Sequence, residues 1–541
     1  MQPTKQRNAG AMRRDGGALL LVLAALVALG LLALLLVQLE RSTSPGMTAT
    51  DVDRPTQEAG STNSLVLYCA AGMRVPVEKI VAAYRDEYGV EVQIQYGGSN
   101  TLVNQIELAR TGDLFLAADG SFLDLAREKG LLAESLPVAN IRAVITVAEG
   151  NPKNIKGLAD LLRDDVRTAV ANPDQAAVGA VMRKALTAQD KWADLEQAVA
   201  QRGVFQATVN EVANTVKVGA ADAGIVWDIT VAADPQLSAI EMPELAKATG
   251  EVGLGVLVDS ANPTAALRFA RYFTAQDRGL QKFADAGFKV IEGDAWTDKP
   301  EITFFCGAVN RRAVEPLIQQ FEQREGVRVN TVYNGCGILT GQMKVITDWQ
   351  QGRGFPDTFM ACDRYYLDVV KDQFQEAVEL SETEVLIAVP KGNPLKITGL
   401  DDLKRPGLRV AVGQPKQCTI GVLTRELLKE QGILDDVLKN VVAETCSSAL
   451  LLPMVITGSV DAAVVYETDT KAESEKISIV RLSSPKALAV QPLSLAKTSQ
   501  YKWLTRRFMQ FVMQNEEQFK SIGFRWRLGE DQTAAATDTA K

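Results

Sequence analysis

The chain has 541 residues, 46% of them apolar and 23% charged, which is the composition of a globular protein able to bury two sizeable cores. Its 58 Lys and Arg against 66 Asp and Glu give a formal charge of −8, and the absence of a basic excess argues against a nucleic-acid partner. Histidine is missing altogether, which removes His-based acid–base catalysis, Ser-His-Asp and Cys-His nucleophiles, and every His-ligated metal site.

From the N-terminus, residues 1–15 carry Lys5, Arg7, Arg13 and Arg14, and residues 16–39 (GGALLLVLAALVALGLLALLLVQL) carry no charge. About 20 apolar residues at ~1.5 Å each span a hydrocarbon core. The expectation is an uncleaved transmembrane anchor, with its basic flank in the cytoplasm and the bulk of the chain periplasmic or otherwise extracytoplasmic. A long cleaved signal is the competing reading, but no A-x-A follows the run, and a first cysteine at Cys69 leaves no lipobox. Residues 40–63, rich in Ser, Thr, Pro and Gly, read as a flexible linker.

Beyond it, short apolar runs alternate with amphipathic stretches, the pattern of α/β architecture. SLVLYCA is a strand, VEKIVAAYRDEYG a helix closed by Gly89, and VEVQIQYGG a strand. TLVNQIELARTG, DLFLAAD and SFLDLAREKGLL continue as helix, strand and helix, and IRAVITVAEGNP, RTAVANPD and AGIVWD supply further strands. After EGDAWTDKP the series begins again. YCAAGMRVPVEKI at Tyr68–Ile80 returns as FCGAVNRRAVEPL at Phe305–Leu317, YGGSNTL as YNGCGIL, and DLFLAAD as DTFMACD. EGNPKNIKGLADL returns as KGNPLKITGLDDL, and GAADAGIVWD as GSVDAAVVYE. A collinear series of this length marks two homologous domains, placed at 64–291 and 300–527, with a linker at 292–299 and a disordered tail at 528–541.

In open α/β sheets ligands lie beyond the carboxyl ends of the strands. There each copy has two small-residue loops leading into a helix: Ala70–Arg74 and Gly97–Thr101 in the first, Gly307–Arg311 and Asn334–Ile338 in the second. Such loops leave backbone N–H groups free for an anion, although glycines also simply make tight turns. Asp119 and Asp363, which follow the third strand, are expected to cap the next helix. Thr208 and Glu211 match a capping box, and Asp222 and Asp461 read as structural.

Aromatic–small–small ending strand one, the aromatic–Gly loop ending strand two, D-x-F-x-A-x-D, the GNP turn and G-x-x-D-A together resemble the type II periplasmic solute-binding proteins. More narrowly, they resemble the molybdate/tungstate-binding component of ABC importers. The likeness covers about 64–290 and again 300–526, and each copy ends in Gly-Phe (Gly287–Phe288, Gly523–Phe524). It implies two tandem domains, each of two α/β lobes closing by a hinge on a small oxyanion, an ABC permease as partner, no cofactor and no enzymatic step. It also implies that hydroxyls and backbone N–H groups hold the ligand without a cationic side chain. Carried over by position, the ligand-binding residues are Gly72, Ser99, Asn100, Ala118, Ala177 and Trp227 in domain 1. In domain 2 they are Val309, Cys336, Gly337, Cys362, Thr419 and Tyr466. The family's serine after strand one is lost from both copies, at Gly72 and Val309, and its serine in the second loop survives as Ser99 but becomes Cys336.

Five of the six cysteines (Cys306, Cys336, Cys362, Cys418 and Cys446) fall in the second copy, each near a strand end. Thiolates at Cys336, Cys362, Cys418 and Cys446, made acidic by helix N-termini, would suit a soft metal or thiophilic ligand in domain 2, which is the alternative function. Disulfides Cys336–Cys362 or Cys418–Cys446, Ser/Ala replacement around a conventional anion, and inert packing, as expected for Cys69 and Cys306, are the other readings.

Overall fold

The computed structural model describes residues 64–346, 348 and 354–529. The described residues of both repeats belong to one compact unit. The expected anchor at 16–39, the linker at 40–63 and the tail from 530 onward lie outside the described residues. Among the described residues no helix is long and apolar enough to cross a membrane.

Domain 1 contains β1 (Ser64–Ala70), β2 (Glu91–Gly97), β3 (Leu114–Ala117), β4 (Leu132–Ala148), β5 (Thr168–Ala171), β6 (Val204–Gln206), β7 (Ala223–Trp227), β8 (Leu237–Ile240), β9 (Thr249–Leu257) and a short β10 (Lys289–Val290). They are ordered β2-β1-β3-β9-β4-β7-β5-β6. LFLA in β3, TAVA in β5 and AGIVW in β7 are buried at every position. Central strands covered on both faces must be apolar throughout, which is why these segments show no alternation.

The 17-residue β4 joins the two lobes. From Leu132 to Arg142 it pairs antiparallel with β9, and from Ala143 to Val147 with β7. The first lobe is thus β2-β1-β3-β9 with the start of β4, and the second is the end of β4 with β7, β5 and β6. Sequence patterning starts this strand near Ile141, but it begins at Leu132. Pro137 sits at a register shift between Pro137 and Ala139, so the ladder absorbs a residue that would otherwise break it.

Domain 2 repeats the topology with β11 (Glu301–Gly307), β12 (Arg328–Asn334), β13 (Thr358–Met360), β14 (Phe374–Pro390), β15 (Val410–Gly413), β16 (Val441–Thr445), β17 (Ala462–Tyr466), β18 (Ile477–Arg481) and β19 (Leu488–Ala496). The order is β12-β11-β13-β19-β14-β17-β15-β16. The expected caps are present: Asp119 accepts from Ser121 N, Asp363 from Tyr365 N, and Thr208 with Glu211 closes a full capping box. Asp222 and Asp461 each bind an arginine, Arg167 and Arg409, at the base of the second lobe.

The two domains meet through their first lobes. Helices α1 (Arg74–Tyr88), α2 (Ser99–Ala109), α3 (Ala177–Thr187), α4 (Val209–Lys217) and α5 (Pro263–Phe273) belong to domain 1, and α6 (Arg311–Glu325) opens domain 2. Helix α5 packs on α6. Glu325, 2% exposed, accepts hydrogen bonds from Arg271 of α5 (3.0 Å) and from Arg507 (2.8 and 3.2 Å). Arg324 grips Glu134 at 2.6 and 2.9 Å. In the linker, Asp294 accepts from the N–H groups of Trp503 and Leu504, and the Trp503 indole donates to the Glu292 carbonyl. These bonds pin the start of the short connection.

Candidate functional site

In domain 1 the ends of β1, β2, β3, β5, β6 and β7 meet at a small chamber of about 20 Å³. Its walls are Ala70–Gly72, Gly97–Ser99, Ala118, Ala176–Val178, Thr208, Val209 and Trp227. Gly72, Ser99, Ala118, Ala177 and Trp227 are therefore brought together, and no charged side chain is among the walls. A turn of 3₁₀ helix (Ala71–Met73), α2 and α3 begin here, with Ala70, Gly98 and Ala176 at their N-caps and no side-chain cap on any of them. A helix starts with unpaired N–H groups and a partial positive charge. Three such starts around one space make it electropositive without a cation. The Ser99 hydroxyl accepts from the Ala118 N–H at 3.3 Å, which links the second and third loops.

Asn100 lies elsewhere. Its N–H and side-chain amide donate across the mouth to the carbonyls of Gln175 (3.1 Å) and Asp174 (2.7 Å) in the second lobe. Asn210 of α4 donates back to the Ala71 carbonyl at 2.8 Å. The lobes are thus in contact, and the chamber is closed. Gly98 makes this contact feasible, because a Cβ there would stand 2.4 Å from the Gln175 oxygen. Sequence reasoning missed this latch, and the Thr208 and Val209 walls with it, because its partners lie some 75 to 140 residues away.

Domain 2 superposes the same chemistry on different side chains. Helix α7 (Cys336–Val345) and helix α8 (Thr419–Glu430) also start uncapped. The Cys362 N–H donates to the Cys336 sulfur at 3.0 Å, matching the Ala118–Ser99 bond. Gly337 does not face inward: its N–H donates to the Gln417 carbonyl at 2.9 Å across the lobes, with Tyr366 donating to Pro415 beside it. A Cβ on Gly335 would come to 2.3 Å of the Cys446 oxygen, so this cleft too is shut. Val309, Cys336, Cys362, Thr419 and Tyr466 are all buried. The Tyr466 phenol makes no hydrogen bond, whereas the Thr419 hydroxyl lies against the Cys336 sulfur and helps to hold that thiol below its ordinary value.

The geometry does not support the soft-metal alternative. Among the described residues no group of three or more Cys, Asp or Glu side chains is placed to hold a metal. Cys336 and Cys362 lie 2.9 Å apart as free thiols, whereas Cys418 points to the Thr445 carbonyl and Cys446 is only partly buried. Nor do the helix N-termini make these thiols acidic in general. Burial pushes Cys418 up to about 11, and its bond to Cys336 together with burial pushes Cys362 well above the ordinary thiol value. Cys336, at the start of α7, moves the other way, because hydrogen bonds from Cys362 and Thr419 more than offset its burial.

Two lobes on a continuous strand, in contact around a chamber whose walls hold no charged side chain, are the architecture of a solute-binding protein. The model of the bacterial extracellular solute-binding protein family matches residues 65–289 and again 302–525, and the chain belongs to that family, as a tandem of two type II domains. The molybdate-binding protein ModA of Mycobacterium bovis and of Mycobacterium tuberculosis is 29% identical over 224 residues, 41% of this chain and 82% of that protein. ModA of Escherichia coli is 26% identical over 215 residues, covering 37% and 79%. The solved periplasmic molybdate-binding protein of Azotobacter vinelandii aligns at 17% identity and a TM-score of 0.37, over 42% of this chain and all of that one.

Proposed function

We propose that domain 1 binds a molybdate- or tungstate-like oxyanion outside the cytoplasmic membrane and delivers it to an ABC-type permease, with residues 16–39 as the membrane anchor. The observation that carries this reading is the meeting of three uncapped helix starts at a closed chamber whose walls hold no charged side chain. Backbone N–H groups donate to a dianion without the desolvation cost of burying a lysine or arginine, and each charge-assisted bond contributes about 1.5–3 kcal/mol. The ModA relatives point to molybdate within the oxyanion class. Gly72, Ser99, Ala118, Ala177 and Trp227 line the ligand, and Asn100 and Asn210 latch the lobes once it is in place. Ligand bridges the lobes and draws the open–closed equilibrium toward closure by its differential affinity.

Titration of the protein with molybdate and tungstate, followed by calorimetry and thermal unfolding, tests this. Saturating molybdate is expected to raise the unfolding temperature, and Ser99→Ala to weaken binding by about tenfold. Absence of any shift with either anion would remove the assignment. For the anchor, the full chain is expected to remain with membranes after alkaline extraction; release into the soluble fraction would contradict it.

A further inference from the structure

The sulfurs of Cys336 and Cys362 lie 2.9 Å apart, and a disulfide bond needs about 2.0 Å, so a movement of about 1 Å joins them. The surroundings are built for a pair. Domain 2 departs from domain 1 here at a linked set of positions: Gly307 replaces Ala70, Asn310 replaces Met73 and Gln491 replaces Val252, alongside Cys336 for Ser99 and Cys362 for Ala118. A Cβ on Gly307 would stand 2.7 Å from the Cys336 sulfur and 2.3 Å from that of Cys362, so the glycine leaves the room that both sulfurs occupy. Asn310 donates to the Ala361 carbonyl at 3.2 Å and Gln491 to the Cys362 carbonyl at 3.0 Å, which fixes the loop that carries Cys362. The two thiols also differ in kind. Burial raises Cys336, but hydrogen bonds from Cys362 and then Thr419 more than offset it and hold the thiol below its ordinary value. Cys362 is pushed well above that value, by its bond to Cys336 and by burial. One sulfur is therefore the nucleophile, and the other keeps its proton until a second step.

We propose that Cys336 and Cys362 form a reversible dithiol–disulfide pair, oxidised by exchange with a dissolved disulfide when the lobes of domain 2 part and shielded when they shut. The family is an extracellular one, and outside the cytoplasm thiols meet disulfides rather than reductants. The gate is the second lobe. With the cleft shut, Cys336 is 0% and Cys362 5% exposed, and Thr419, which opens α8 in the second lobe, lies against the Cys336 sulfur. With the lobes apart, Cys336 gives its proton to solvent and its sulfur attacks one sulfur of the oxidant RSSR, forming a mixed disulfide and releasing RS⁻. Cys362 then loses its proton, and its sulfur displaces the second RS⁻ from Cys336. Two electrons and two protons pass from the pair to the oxidant, which leaves as two RSH. Nothing in this sequence depends on which solute either domain takes.

The test incubates the full chain, first reduced and then freed of reductant, with oxidised glutathione, quenches with acid, alkylates the remaining thiols under denaturing conditions and maps each cysteine by mass spectrometry. Cys336 and Cys362 are expected to lose alkylation together and to appear as one cross-linked peptide, and excess reduced glutathione to restore both. Gly335→Val, whose side chain meets the Cys446 oxygen before the lobes can shut, is expected to speed the cross-link by on the order of tenfold, because only the open population reacts. Thermal unfolding near the parent temperature shows that this variant folds. The double variant Cys336→Ser, Cys362→Ala carries the domain 1 residues at both positions and is expected to fold and to form no cross-link under the same treatment. Both thiols remaining free, a glutathione adduct that stays on Cys336, a cross-link that uses Cys306, Cys418 or Cys446 instead, or an unchanged rate in Gly335→Val would overturn the inference.

Discussion

Replacing Glu325 by alanine is expected to destabilise the two-domain unit by about 3–5 kcal/mol in urea denaturation, the largest stability effect of any single side chain considered. Glu325 is 2% exposed and lies between Arg271 and Arg507, themselves 8% and 6% exposed, so its removal strands two guanidinium groups in the protein interior. The penalty comes from the charges left behind. Simultaneous replacement of all three by apolar residues of similar volume should therefore recover most of the loss. The pH dependence has a definite sign. Burial pushes the Glu325 carboxyl up, but Arg507 and Arg271 more than offset it and hold the group below the ordinary carboxylate range. A depressed folded-state value means that the stabilisation is complete above the unfolded carboxylate pKa, about 4.3, and is lost as pH falls through the lower folded value. A Glu325→Ala protein within about 1 kcal/mol of the parent would show that the triad does not hold the domains together.

Gly98→Val is expected to weaken oxyanion binding by domain 1 on the order of a hundredfold while leaving the unfolding transition of the ligand-free protein nearly unchanged. Gly98 has φ −72° and ψ 146°, a conformation that any residue adopts, so the backbone itself does not demand glycine. The demand comes from the other lobe: a Cβ would stand 2.4 Å from the Gln175 oxygen and 3.1 Å from that of Ala207. The clash exists only when the cleft is shut, so the substitution acts on the closed state alone. Gly335→Val should do the same to domain 2, where the Cys446 and Gln417 oxygens stand 2.3 and 2.4 Å from the added atom. Small-angle scattering supplies the second readout, with each variant remaining expanded at anion concentrations that compact the parent. Wild-type affinity in Gly98→Val would mean that ligand is held without lobe contact.

Much of this architecture can be read from the chain because it is written locally and twice. Strands buried on both faces announce themselves as LFLA, TAVA and AGIVW, and the caps at Asp119, Asp363 and Thr208 depend on neighbours only two or three residues away. The walls at Gly72, Ser99, Ala118, Ala177 and Trp227 follow from the rule that strand ends converge. The latch did not follow, because Asn100 and Gly337 occupy the loop that carries the ligand position and yet turn to carbonyls some 75 to 80 residues further on. The cysteines misled for a related reason. Their clustering at strand ends is real, but whether a thiol meets another thiol, as Cys336 and Cys362 do, or a carbonyl, as Cys418 does, is decided by rotamers and neighbouring loops. The Glu325 triad was invisible too, since nothing local distinguishes its three members from surface charges.

The strand that crosses between lobes has a further consequence. In β4 the register slips between Pro137 and Ala139, a few residues before pairing passes from β9 to β7, and in β14 it slips between Glu379 and Ser381, equally close to the crossing. Both domains thus join their lobes through the same mechanical element, an unbroken ribbon with a loosened rung beside the crossing, and the elastic work of shutting should be nearly common to the two. The hinge then cancels when the clefts are compared, and any difference in affinity between them reports on their linings.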